Sequence, residues 1–239
     1  MTLLLLSLAP VFILLAYVYF RDKYEKEPFG LLLKGFIAGV VILFPVAFPE
    51  QMLMTLFPGL SGMGKAAYEG FIVAGTSEEF FKFVVLYLIF WRNRNFNEKF
   101  DGIVYAVSVS LGFAAIENIF YVLEGSYSVG FLRAVTAVPA HILFGVMMGY
   151  YLGLAKFIPE RKEEFLWKAV VIPVLFHGGY DFFILSGHPL LVVLFIPLLI
   201  VMWRIGLRRM KQHADASVFR NQPPPPPGPY HHDPTPPQI

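Results

Sequence analysis

The chain has 239 residues, of which 56% are hydrophobic and 15% charged, with a net charge of +2 and no cysteine. A soluble domain of this length carries roughly 25% charged residues, so the composition points to a membrane protein with the lipid bilayer as its main partner. The near-neutral balance gives no reason to expect nucleic acid, and the lack of cysteine excludes disulfides and thiolate chemistry. Apolar runs follow at residues 2–20, 29–49, 68–91, 102–123, 131–157, 169–186 and 188–204. Most reach the roughly 17 to 25 residues that a helix needs to cross the hydrocarbon core. The first run has no positive leading region and no small-residue cleavage pattern, so it is expected to be a retained helix. Only Ser186, Gly187, His188 and Pro189 separate the last two. The expected fold is an all-α, polytopic bundle of about seven transmembrane helices.

Lys and Arg distribution sets the orientation, because cationic loops stay on the cytoplasmic side. Arg21, Lys23 and Lys26 follow the first run, and Arg92, Arg94 and Lys99 the third. Lys156, Arg161, Lys162 and Lys168 follow the fifth, and Arg204, Arg208, Arg209 and Lys211 the seventh. The other side has little beyond Lys65 and Arg133. The N-terminus is therefore expected outside and the C-terminus in the cytoplasm. Trp91, Trp167 and Trp203, each beside a cation at an expected cytoplasmic helix end, agree with that.

No internal repeat stands out and the loops are short, so residues 1–209 read as one membrane domain. Residues 210–239 lose apolar character and pass into Pro223 to Pro227, Pro229, Pro234, Pro236 and Pro237. That composition favours an extended, disordered cytoplasmic tail, or a docking peptide for a proline-binding partner.

Against this background the polar residues inside the apolar runs stand out: Glu78, Glu79, Lys82, Glu117, His141, His177 and Asp181. A charge at the centre of a membrane helix costs about 2.5 to 3.5 kcal/mol on insertion scales, so such a set is read as a buried functional site. Counted from the cytoplasmic helix ends, Glu78, Glu117, His141 and Asp181 fall about 18 to 24 Å deep and His177 about 12 Å. Glu78 and Lys82, and His177 and Asp181, are i, i+4 pairs, and Glu79 and Lys82 are i, i+3, so each pair shares a helix face. Lys82 can neutralise one glutamate while the other, its pKa raised by burial, serves as general base or acid. His177 can bind a metal or stabilise an oxyanion, with Asp181 fixing its tautomer. Gly145, Gly149 and Gly153 continue the row begun by His141, a small-residue face that presses this helix against a neighbour. Hydrolysis by activated water is the most economical chemistry for such a set. The His-Glu-x-x-His, Gly-x-Ser-x-Gly and paired-Asp motifs are all missing. A proton-coupled transporter or a non-catalytic scaffold is the alternative; neither inverted repeats nor interrupted helices favour the transporter.

Several stretches resemble the PrsW family of intramembrane proteases, related to the CAAX-prenyl endopeptidases and bacteriocin-processing enzymes. They are Asp22 to Pro28, Gly75 to Phe83 with its paired glutamates, and Phe100 to Ala106. Gly112 to Asn118, Arg133 to His141 and His177 to Asp181 continue the match in order. The resemblance implies a multi-pass, bacterial-type inner-membrane peptidase that makes the first, site-1 type cut in a single-span anti-sigma factor. It implies Glu78, Glu79 and His177 as catalytic residues, supported by Lys82, Glu117, Asn118 and Asp181. Where the superfamily has Phe-x-x-x-His, this chain has Phe113 followed by Glu117. The family is classed with metallopeptidases, so zinc is the expected cofactor, with His141, His177 and Glu117 as ligands; a metal-independent glutamate enzyme is the alternative. Arg133 is a candidate guide for an acidic substrate segment, or an interfacial anchor.

Overall fold

The computed structural model describes residues 2–221, all helices and connecting turns with no strand among them. In chain order the α-helices are α1 (Thr2–Arg21), α2 (Phe29–Leu56), α3 (Gly62–Ala67), α4 (Ser77–Phe90) and α5 (Lys99–Glu124). They continue with α6 (Tyr127–Val135), α7 (Ala137–Phe157), α8 (Lys162–Leu185) and α9 (Pro189–Asp215). A π-helical segment, Tyr68–Thr76, joins α3 to α4 without a break.

Among the described residues, six stretches are long and apolar enough to cross a membrane: α1, α2, α5, α6 with α7, the stretch Pro159–Leu185 that contains α8, and α9. The unbroken helix from α3 through α4 matches the third expected span, with Glu78, Glu79 and Lys82 inside it. The fifth expected span is divided. Pro139 has no N–H to give to the carbonyl of Val135 and its ring would crowd that group, so α6 stops and a new helix starts at Ala137.

α5 is the centre of the bundle: 78% of its apolar stretch is buried, against 17% of that in α9. α7 packs along it through glycine. A Cβ on Gly149 would lie 2.2 Å from the Gly102 carbonyl oxygen, and one on Gly153 2.4 Å from that of Lys99. α2 meets α5 in the same way, since a Cβ on Gly112 would sit 2.0 Å from the Phe36 oxygen. The outer helices turn Ile13, Phe44, Leu88 and Ile196 outward, as expected where lipid replaces water and polar groups must be satisfied inside.

The π-helical segment packs its glycines on α8. A Cβ on Gly70 would come within 2.9 Å of the Gly178 oxygen, and one on Gly178 within 2.2 Å of Phe71 Cδ1. The Thr76 hydroxyl donates to the Phe71 carbonyl, five residues back, at 2.8 Å. The wider turn shifts the helical phase just before Glu78, so the glutamates point where a regular helix would not aim them.

At the other end of the chain, α9 runs past residue 209, with Met210 and His213 buried. His213 Nδ1 lies 3.0 Å from the Lys99 carbonyl oxygen, which ties this end to the start of α5. The proline-rich stretch from Pro223 onward lies outside the described residues.

Candidate active site

Five helices contribute side chains to one buried network. α4 supplies Glu78, Glu79 and Lys82; α5 supplies Phe113, Glu117 and Asn118; α6 supplies Arg133; α7 supplies His141 and Phe144; α8 supplies His177 and Asp181. At its centre the Lys82 ammonium, fully buried, donates to Glu78 Oε2 at 2.9 Å and Glu79 Oε1 at 2.8 Å. It also lies 3.3 Å from His141 Nδ1 and 4.1 Å from the centre of the Phe113 ring. Because Lys82 can only donate, His141 Nδ1 accepts, and its Nε2–H donates to Glu117 Oε2 at 2.9 Å.

His177 has the opposite arrangement. Its Nδ1 is 2.9 Å from Glu79 Oε1 and its Nε2 3.3 Å from Asp181 Oδ2. Both nitrogens face carboxylate oxygens, so a donor at each calls for the imidazolium form. Phe144 stacks on the ring, centroids 4.7 Å apart and 14° from parallel, and fixes its plane. On the far side Arg133 pairs with Glu117 at 3.1 Å and donates from Nε to Asn118 Oδ1 at 3.0 Å. Asn118 in turn donates to the Ser7 carbonyl at 3.0 Å, which anchors α1.

Two hollows that share Glu78, Glu117 and Asp181 in their walls open onto this network. The outer, of about 420 Å³, is walled by Leu43, Glu50, Glu78, Glu117, Asp181 and others. The inner, of about 80 Å³, is lined by Glu78, Glu117, Arg133, His141, His177 and Asp181. A water occupies roughly 30 Å³ in the liquid, so the inner hollow has room for water among polar partners. Glu78 lines both hollows and Glu79 lines neither, a difference in access that adjacency in sequence concealed.

Every residue singled out from the sequence lies in this network, Arg133 included. His141, His177 and Glu117, the expected ligand set, all line the inner hollow, and both ring nitrogens of each histidine have partners. The described residues instead group Glu78, Glu79 and His141, each with one ligand atom within 4.8 Å of the others. Two carboxylates and an imidazole are donors of the kind zinc takes. Lys82 Nζ is in contact with all three residues, so the set fits a metal only with that ammonium withdrawn.

Sequence reasoning missed Glu50 and Phe144. Glu50 follows Pro49, where the second apolar run was expected to end, but α2 continues to Leu56 and carries the carboxylate into the cavity wall. The apolar residues Met52, Leu53, Met54 and Leu56 beyond it were the available signal. Nothing in the sequence singled out Phe144 as the residue that would cover His177.

A buried carboxylate–imidazole network beside a hollow with room for water, inside a multi-pass helical bundle, suits a membrane-embedded hydrolase. The family described as PrsW family intramembrane metalloprotease matches residues 27–203. The "Protease PrsW" of Oceanobacillus iheyensis is 38% identical over 212 residues, covering 89% of this chain and 96% of that protein. That of Bacillus subtilis is 36% identical over 90% of this chain and 96% of its own length. That of Clostridioides difficile is 35% identical over 90% and 92%. No solved structure matches the chain. The chain belongs to the PrsW family and is a membrane peptidase, a multi-pass protein of the cell membrane.

Proposed function

We propose that this peptidase cuts single-span membrane proteins, with an anti-sigma factor as its regulated substrate, and that Glu78 activates the attacking water. The observation that carries the reading is the access of Glu78 to both hollows, with Lys82 beside it and His177 across the inner one. Glu78 takes a proton from water as the hydroxide oxygen adds to the scissile carbonyl carbon. The His177 Nε2–H, released from Asp181, stabilises the resulting oxyanion, while Lys82, which lines neither hollow, holds Glu78 in place. Protonated Glu78 then gives its proton to the leaving amine as the C–N bond breaks. Glu79, closed off from both hollows, holds His177 through Nδ1 and shares Lys82. A substrate helix must unwind before its peptide bond is open to water, so cleavage belongs near a helix end.

Zinc, when bound, would be held by Glu78, Glu79 and His141 and would supply a Lewis acid for the carbonyl. Metal analysis of purified protein separates the two ways of supplying positive charge. One zinc per chain, lost in His141→Ala together with cleavage, supports the metal; full cleavage by zinc-free protein assigns the role to His177.

The test of function is co-expression with a tagged single-span substrate. Glu78→Gln should remove the cleavage product by about a thousandfold at unchanged protein abundance. Glu79→Gln keeps an acceptor for His177 and should lose about 10- to 100-fold, the usual range for a residue that orients another. Persistence of product in Glu78→Gln rejects the mechanism. In a deletion strain, full-length anti-sigma factor should accumulate among the membrane proteins; unchanged anti-sigma levels reject the substrate.

A further inference from the structure

Far from this network, the α1–α2 loop and the start of α5 gather a second set of acids: Asp22, Glu25, Glu27, Glu98 and Asp101. Asp101 and Glu117 are sixteen positions apart on α5, about 24 Å along its axis. Four of these acids are buried, Asp22, Glu27, Glu98 and Asp101. Of the neighbouring cations, Lys26 is exposed and spends its ammonium on the main-chain oxygens of Tyr19 and Asp22 and on the face of the Tyr19 ring, and Lys156 donates to the main-chain oxygens of Trp91 and Asn93.

Each acid has part of its hydrogen bonding met. Asp101 Oδ2 accepts from the amides of Asn97 and Glu98, both at 2.8 Å. Glu25 Oε1 accepts from Asn97 Nδ2 at 3.1 Å, and Glu27 from the Tyr105 hydroxyl. The remaining oxygens, Asp101 Oδ1, Asp22 Oδ2, Glu25 Oε2 and Glu98 Oε2, are buried without a partner among the described residues. An oxygen of Glu27 and one of Asp101 lie within 4.8 Å of each other. Two carboxylates so close need a proton or a cation between them.

Geometry and composition favour the cation. Glu25, Glu27 and Asp101 each offer an oxygen, all within 4.8 Å of one another. Calcium holds oxygens at about 2.3 to 2.6 Å, so ligands on opposite sides of it lie about 4.6 to 5.2 Å apart, and the three atoms fall inside that span. One shared proton would relieve the Glu27–Asp101 contact and leave the open oxygen of Glu25 unmet, whereas a cation among the three is shared by all of them. An all-oxygen donor set suits calcium or magnesium and not zinc.

We propose that Glu25, Glu27 and Asp101 bind a hard divalent cation, calcium by size, that fastens the α1–α2 loop to the start of α5. The site is separate from the peptidase network in place and in ligand chemistry. The test is calcium titration calorimetry on the purified full-length protein in detergent, stripped with chelator, with magnesium as competitor. One saturable calcium ion per chain is expected, with a melting midpoint raised by about 3 °C or more at saturation. Glu25→Gln alters a partly exposed carboxylate, so it should fold, and should weaken binding at least tenfold. Glu78→Gln should bind calcium as the wild type does. No saturable uptake by folded wild-type protein means a shared proton and overturns the proposal. So does uptake that Glu25→Gln leaves unchanged, or uptake lost in Glu78→Gln.

Discussion

Lys82 shows how a single residue carries charge through this bilayer-embedded core. Its ammonium is wholly buried against two carboxylates, an imidazole and an aromatic face. Removing one member of a buried ion pair leaves the other charge uncompensated, at a cost of about 3 to 5 kcal/mol. Lys82→Met should therefore lower the thermal midpoint and the folded yield in detergent. Adding Glu78→Gln and Glu79→Gln to it should restore much of that loss; a triple variant as unstable as Lys82→Met would mean that packing and not charge is at stake. The pairing of Lys82 with both glutamates was legible from i, i+3 and i, i+4 spacing. Its contact with His141, fifty-nine positions away, was not, because spacing rules reach only along one helix.

At the scale of elements, glycine decides how closely helices approach. Gly149→Ala places a methyl group 2.2 Å from a backbone oxygen of α5, so α7 must move off its neighbour. The overpacking should cost about 1 to 3 kcal/mol and show as a lower thermal midpoint. Gly179, one residue from the tightly packed Gly178, has nothing within 4 Å of the place a methyl group would take; Gly179→Ala should unfold as the wild type does. The Gly145, Gly149 and Gly153 row was readable in sequence as a contact face. The π-helical segment was not, because its wider turns depend on Gly70, Gly75 and Gly178 meeting across two helices.

At the scale of the molecule, the helix order puts the α1–α2, α4–α5 and α7–α8 connections on one side, and the α2–α3, α5–α6 and α8–α9 connections on the other. The cationic loops predict that the first side is cytoplasmic. The chain has no cysteine, so single introduced cysteines report the orientation cleanly. Arg94→Cys and Glu160→Cys should react with an impermeant maleimide only after the cells are opened, and Leu60→Cys and Ser126→Cys in intact cells. The reverse pattern would invert the topology.

Composition and periodicity by themselves determined that this is a helical membrane protein and which side chains are too costly to bury without purpose. Apolar run length and the expense of charge in lipid are local properties of the chain, so they could be read one segment at a time. Only the tertiary structure decided that Glu78 reaches the hollows while Glu79 does not, that Glu50 joins the wall, and that Lys82 stands among Glu78, Glu79 and His141. Those outcomes depend on the phase and closeness of helices distant in sequence, set by the π-helical turn before Glu78 and by glycine contacts that admit no side chain.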